Sequence, residues 1–205
     1  MKGLLFIDGE PPKDLPDHKG YDVVACTDGA FMYLDKMGFS LENLDFISGD
    51  LDSMDGMVLE TIKHKIIQTP DQEDTDFQKA LKILVEKGCS EVDVYGASGG
   101  EQDHYLGNLS AGLEYKNKLK IRFYDDYSTY FFIDNHYETN GVLGKMISLY
   151  PFPEAENIVT KGLKWPLNKE KLKIGSRIGT RNVAVEDSIS IDFQGGELLI
   201  FVGKN

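Results

Sequence analysis

The chain has 205 residues, 41% hydrophobic and 27% charged, enough for one large domain or two small ones around a real core. A net charge of −12 argues against a nucleic-acid partner, because counterion release needs a basic face. It leaves nucleotides open, since backbone N–H groups and a cation can hold phosphate inside an acidic protein. Two cysteines, Cys26 and Cys89, are too few for a disulfide scaffold or a zinc site and read as buried free thiols. The opening apolar run, ended at once by Asp8, is too short for a signal peptide, and no segment is long enough to span a bilayer. The expected location is the cytoplasm, with no membrane partner.

In chain order, residues 3–7 and 21–26 read as short buried strands. Residues 29–38 read as a helix with Ala30, Tyr33, Leu34 and Met37 on one face and Gly38 as its stop. Residues 44–47 and 65–68 are further strands. Phe77, Ala80, Leu81, Leu84 and Val85 recur at helical spacing up to Gly88. Residues 91–95 form a strand, a helix runs from about His104 to Lys116 with Leu106, Leu109 and Leu113 inward, and residues 119–124 form another strand. This alternation predicts a mostly parallel sheet with helices on both faces.

After Ser128 no helical pattern is found. Apolar runs at 130–133, 146–150, 189–193 and 198–202 are broken by Gly, Pro and Asn, which predicts a smaller antiparallel β-sandwich. The expected fold is therefore α/β: a mostly parallel α/β/α sandwich over residues 1–126, then a β-sandwich domain over residues 127–205.

Four clusters carry the chemistry: residues 27–30 (Thr-Asp-Gly-Ala), 49–53 (Gly-Asp-Leu-Asp-Ser), 71–76 (Asp-Gln-Glu-Asp-Thr-Asp) and 96–104. Each lies where a predicted strand gives way to a loop or helix, the place where open α/β sheets bind ligands. Asp50 and Asp52, two apart on extended backbone, point the same way and suit a divalent cation. An acidic turn with Ser53 as a helix cap is the plainer alternative. Asp71, Glu73, Asp74 and Asp76 exceed what one helix cap requires, so some face a metal or accept a substrate proton; capping and a solvated acidic loop stay open. The 96–100 loop can offer N–H groups to phosphate but is no Walker A motif, as no Gly-Lys-Ser/Thr follows. Asp103 and His104 open the next helix, and a lone His there is more often a capping or packing residue than a catalyst. Together the clusters read as a Mg²⁺-dependent enzyme handling a phosphorylated substrate.

In this order the clusters resemble the thiamine pyrophosphokinase family, with Asn108 and Leu109 following the fourth. Residues 162–167 (Gly-Leu-Lys-Trp-Pro-Leu) and 179–182 (Gly-Thr-Arg-Asn) resemble that family's thiamine-binding domain. Glu101 stands where bacterial members usually have Arg, and Arg181 where they have Ser. The resemblance implies transfer of pyrophosphate from ATP to the hydroxyl of thiamine, giving thiamine diphosphate and AMP, in a homodimer with active sites between subunits. It implies Mg²⁺ on Asp50, Asp52 and Asp76. It implies a nucleotide side lined by Asp28, Gly29, Gly49, Ser53 and the loop containing Gly96, Gly99 and Gly100. Gln72, Asp103, Trp165, Thr180 and Asn182 are expected near thiamine, with Trp165 stacked on its flat cationic ring; a core aromatic is the alternative for Trp165. Asp71 and Asp76 both qualify as acceptor of the hydroxyl proton. Another metal-dependent transferase or phosphohydrolase, and a non-catalytic ligand-binding protein, are the competing readings.

Overall fold

A computed structural model describes residues 1–49, 62–69 and 73–204. The chain divides into two compact units, Met1–Asp125 and Asp126–Asn205.

In the first unit the described strands are β1 (Lys2–Phe6), β2 (Val23–Thr27), β3 (Phe46–Gly49), β4 (Ile66–Gln68), β5 (Glu91–Tyr95) and β6 (Lys120–Tyr124). The α-helices among the described residues are α1 (Asp28–Lys36), α2 (Asp76–Glu86) and α3 (Gln102–Tyr115). The strand order is β4-β3-β2-β1-β5-β6, and every pair is parallel. Leu4, Leu5 and Phe6 are all fully buried, as a strand covered on both faces requires. Leu4 and Phe6 pack with Ala30, Phe31 and Leu34 of α1. Gly3 lies on the opposite face against Leu84 of α2. Alternation along β1 thus places α1 and α2 on opposite sides of the sheet.

Both predicted glycine stops act as left-handed helix ends. Gly38 (φ +74°) and Gly88 (φ +86°) let the next residue's N–H reach back, Phe39 to the carbonyl of Leu34 and Cys89 to that of Leu84. One inward assignment is corrected: Leu106 is 59% exposed. The buried side of α3 carries Leu109, Ala111, Gly112 and Tyr115, and these turn its inward stripe away from Leu106. Cys26 and Cys89 are buried free thiols.

The second unit contains β7 (Ser128–Ile133), β8 (His136–Thr139), β9 (Met146–Lys161), β10 (Asn168–Lys173), β11 (Gly179–Val183), β12 (Ile189–Asp192) and β13 (Gly196–Gly203). Its strand pairs are antiparallel. β9 continues through Pro151 and Pro153, where the sequence suggested a break. A register shift against β13, between the pairs Leu198↔Pro151 and Gly196↔Ala155, absorbs the missing proline donors. Ile147, Leu149, Ile158, Leu163, Ile189, Ile191, Leu198 and Ile200 form the core. Among the described residues, no helix is long and apolar enough to cross a membrane.

Candidate active site

The chain runs outward from β1 to β4 on one side, then returns to place β5 on the other side of β1. The crevice of such a sheet lies at the carboxyl ends of the strands flanking that reversal. Asp8 follows β1, Asp28 follows β2, Gly49 ends β3, Asp76 opens α2 and the 96–100 loop follows β5. A cavity of about 470 Å³ opens there, lined by Asp8, Thr27, Asp28, Asp74, Asp76, Lys79, Asp103, His104 and Asn108 among others.

Glycines make room for its carboxylates. A β-carbon on Gly29 would come within 2.3 Å of Asp8 Oδ2, and one on Gly49 within 2.3 Å of Asp28 Cγ. Asp28 is buried, and its Oδ1 accepts the Gly29 N–H at 2.8 Å. Partial burial, then the neighbouring Asp28, raise the pKa of Asp8 above its ordinary value. Asp76 and Glu101 push the same way, and His104 opposes them. The Thr27 hydroxyl is buried without a hydrogen-bond partner, and so is that of Ser48, its register neighbour on β3. Thr27 occupies the N-cap position of α1 yet makes no side-chain cap bond.

Thr75 caps α2. Its hydroxyl accepts the Gln78 N–H, and the Gln78 side chain accepts the Thr75 N–H in return. Asp76 is thereby left for other work, and its carboxylate sits 3.1 Å from Lys79 Nζ.

The 96–100 loop lies directly on the chain leaving β1. A β-carbon on Gly96 would strike the Ile7 carbonyl oxygen at 2.1 Å, one on Gly9 the Gly96 carbonyl oxygen at 2.3 Å, and one on Gly99 the Glu10 side chain at 2.4 Å. The Glu10 N–H donates to the Ser98 carbonyl, and Asn108 of α3 donates to that of Ala97. Close packing accounts for Gly96 and Gly99 within the chain itself, while Gly100 faces open space. Beyond the loop, ligating atoms of Glu101, Asp103 and His104 lie within 4.8 Å of one another, all three residues being exposed. His104 Nε2 stands 3.3 Å from Glu101 Oε2.

Asp28, Asp76 and Asp103 therefore share one cavity, with Gly29 and Gly49 packed against its carboxylates. Asp50, Asp52, Ser53, Asp71 and Gln72 lie outside the described residues. Asp8 and Lys79 were missed as site residues. Asp8 had one signal, an acid directly after the first strand, and read merely as the end of an apolar run.

In the second unit, Trp165 is 56% exposed and so is not a core aromatic. The Asn182 carboxamide holds both sides of its main chain, accepting the Trp165 N–H at 3.1 Å and donating to the Trp165 carbonyl at 2.7 Å. Lys164 Nζ lies 4.7 Å from the indole centroid. Thr180 is exposed on β11. Arg181 adopts a left-handed conformation (φ +60°) where the β11–β9 register shifts, and its N–H donates to Ser148 Oγ.

Residues 18–123 match the thiamin pyrophosphokinase catalytic domain, and residues 134–198 match the thiamin pyrophosphokinase vitamin B1 binding domain. The thiamine pyrophosphokinase of Bacillus subtilis (strain 168) is 27% identical over 214 residues, covering 98% of each chain. Thiamine pyrophosphokinase 1 of Oryza sativa subsp. japonica is 28% identical over 163 residues, covering 72% of this chain and 61% of the rice protein. A crystal structure of a thiamin pyrophosphokinase family protein from Enterococcus faecalis has the same fold, with a TM-score of 0.85 at 22% identity and 100% of both chains covered. The catalytic-domain match alone spans just over half of the 205 residues, and the chain belongs to the thiamin pyrophosphokinase family of enzymes.

Proposed function

We propose that this protein transfers the pyrophosphoryl group of ATP to the hydroxyl of thiamine, giving thiamine diphosphate and AMP in a Mg²⁺-dependent reaction. One observation carries the reading: a cavity rich in carboxylates opens at the carboxyl ends of the sheet within the stretch that matches the family's catalytic domain. The first unit is read as the catalytic domain and the second as the thiamine-binding domain.

The donor set fits Mg²⁺. It is oxygen-based, with Asp8, Asp28 and Asp76 at one cavity and an unpartnered buried hydroxyl on Thr27 beside them. Asp50, Asp52 and Asp76 are the proposed ligands, and Mg²⁺ when bound offsets the charge on the phosphate oxygens. Asp28, Gly29, Gly49, Ser53 and the loop of Gly96, Gly99 and Gly100 are assigned to the nucleotide side. Gln72, Asp103, Trp165, Thr180 and Asn182 are assigned to thiamine. Trp165 offers a broad exposed ring to the flat cation, and Asn182 fixes the main chain that carries it. The thiamine oxygen attacks the β-phosphorus. The bond from that phosphorus to the bridging oxygen of the α-phosphate breaks, AMP leaves, and the hydroxyl proton passes to Asp71 or Asp76.

The proposal includes a cytoplasmic homodimer with active sites between subunits, for which gel filtration and light scattering are the direct checks. The reaction is tested by incubating the protein with ATP, thiamine and Mg²⁺ and measuring AMP and thiamine diphosphate. Equal yields of the two products, lost on adding EDTA and in Asp52→Asn, support it. Phosphate release that does not need thiamine would overturn it.

A further inference from the structure

We infer that the second unit carries a separate pocket for a small hydroxylated anion of the sugar-phosphate class. A cavity of about 370 Å³ opens beside β9, β10 and β12, lined by Asn135, Asn157, Lys169, Asp192 and Gln194, with Val159 and Phe193 as its apolar part. That volume lies near the lower end of the ~300–1,000 Å³ range of small-molecule sites. All of these residues belong to one unit, and none is assigned above to ATP, Mg²⁺ or thiamine.

The strands build the pocket. Val159 of β9 pairs with Asp192 of β12 on one side and with Asn168 of β10 on the other. The β10–β9 register shifts after Asn168, and Lys169 takes a left-handed conformation there (φ +56°). A second shift, between Glu170↔Ile158 and Leu172↔Ala155, accompanies a left-handed Asn157 (φ +52°). Bulges of this kind re-aim side chains, and the left-handed region is uncommon for a lysine. Both residues line the same cavity.

The polar atoms set the ligand. The Lys169 ammonium has no ion pair among the described residues. The Asn135 and Asn157 amide nitrogens already donate within the chain, to the Phe193 carbonyl at 3.0 Å and to Gln194 Oε1 at 3.3 Å. Asp192 Oδ1 is held by His136 Nδ1 at 2.7 Å. The two asparagine oxygens and Asp192 Oδ2 remain as acceptors, and Lys169 Nζ and Gln194 Nε2 as donors. Acceptors in this number call for hydroxyl groups, and the unpaired ammonium calls for an anion.

The test is calorimetric titration of the full chain with glucose 6-phosphate, glucose and inorganic phosphate, without ATP or thiamine. Wild type binds glucose 6-phosphate more tightly than either of the other two. Lys169→Met weakens that binding by about tenfold or more, Lys169→Arg retains most of it, and Gln194→Ala weakens it by a smaller factor. Lys169 and Gln194 are exposed, and thermal melts of the variants keep loss of binding separate from loss of fold. No binding of glucose 6-phosphate at millimolar concentration, equally tight binding of inorganic phosphate, or wild-type affinity in Lys169→Met would each overturn the assignment. The readout uses neither substrate, so its failure and that of the pyrophosphokinase reading are separable.

Discussion

The carboxylate of Asp8 occupies the space that a side chain on Gly29 would fill, with Oδ2 2.3 Å from the ideal β-carbon position. The glycine of the Asp-Gly-Ala cluster is thus needed by a residue twenty-one positions earlier. This contact draws Asp8 into a site that otherwise begins at the end of β2.

The contact has a pH consequence. The folded-state pKa of Asp8 is raised above 3.8 by partial burial and by Asp28. The folded chain therefore binds this proton more tightly than the unfolded chain. Asp8 costs nothing below 3.8, progressively more as pH rises through its raised value, and a constant amount above that. Asp8→Asn should melt higher than wild type at pH 7 in EDTA, with the advantage vanishing toward pH 3.8. Equal melting temperatures at pH 7 would contradict the assigned repulsion.

Thr75 and Asp76 are adjacent but do different things. Thr75→Ala removes the cap of α2 and should lower stability by about 0.5–2 kcal/mol in a denaturant titration. Asp76→Asn removes no cap and should leave the melt almost unchanged while AMP formation falls by orders of magnitude. The reverse pattern would return Asp76 to a structural role.

Lys65 anchors the approach to β3. Its Nζ donates to the carbonyls of Leu41 at 3.1 Å, Glu42 at 2.7 Å and Leu44 at 2.6 Å, just before that strand begins. Lys65→Met should cost about 1.5–3 kcal/mol, the range for a hydrogen bond to a charged group, since the carbonyls lose one shared donor. Equilibrium unfolding in urea measures it, and no loss would mean that water replaces the ammonium.

Trp165 and Asn182 separate recognition from positioning. Trp165→Ala should weaken thiamine affinity by about 1–3 kcal/mol with the melt unchanged, because the indole is exposed. Asn182→Ala should weaken affinity and also lower stability, since it releases two main-chain groups of Trp165 and one of Val183. Titration of each variant with thiamine, beside its thermal melt, distinguishes the two effects.

Strongly apolar elements were readable directly. Residues 91–95 match β5, where Val92 and Val94 alternate with acids, and the run at 198–202 lies within β13, where a buried strand leaves a nearly continuous hydrophobic stretch. β10, with sequence NKEKLK, buries Leu172 alone and left no such trace. Its pairing with the second half of β9 comes from the long strand beside it. The continuation of β9 past Pro151 escaped notice for a similar reason. A proline is tolerated where the ladder is already irregular, and that irregularity belongs to the partner strand as much as to β9.

The order of the acidic clusters, the helix stops at Gly38 and Gly88 and the change of character after Ser128 are local properties, written in composition and spacing. They determined the family, the fold class and the candidate acids on their own. The partner of each acid was decided in three dimensions. Parallel pairing of β1 with β2 brings Asp8 to Gly29, the β2–β3 register sets Thr27 beside Ser48, and a glycine at residue 49 makes room for Asp28. These contacts join residues about twenty apart, and no period in a linear pattern encodes which strand ends will meet at the reversal of a sheet.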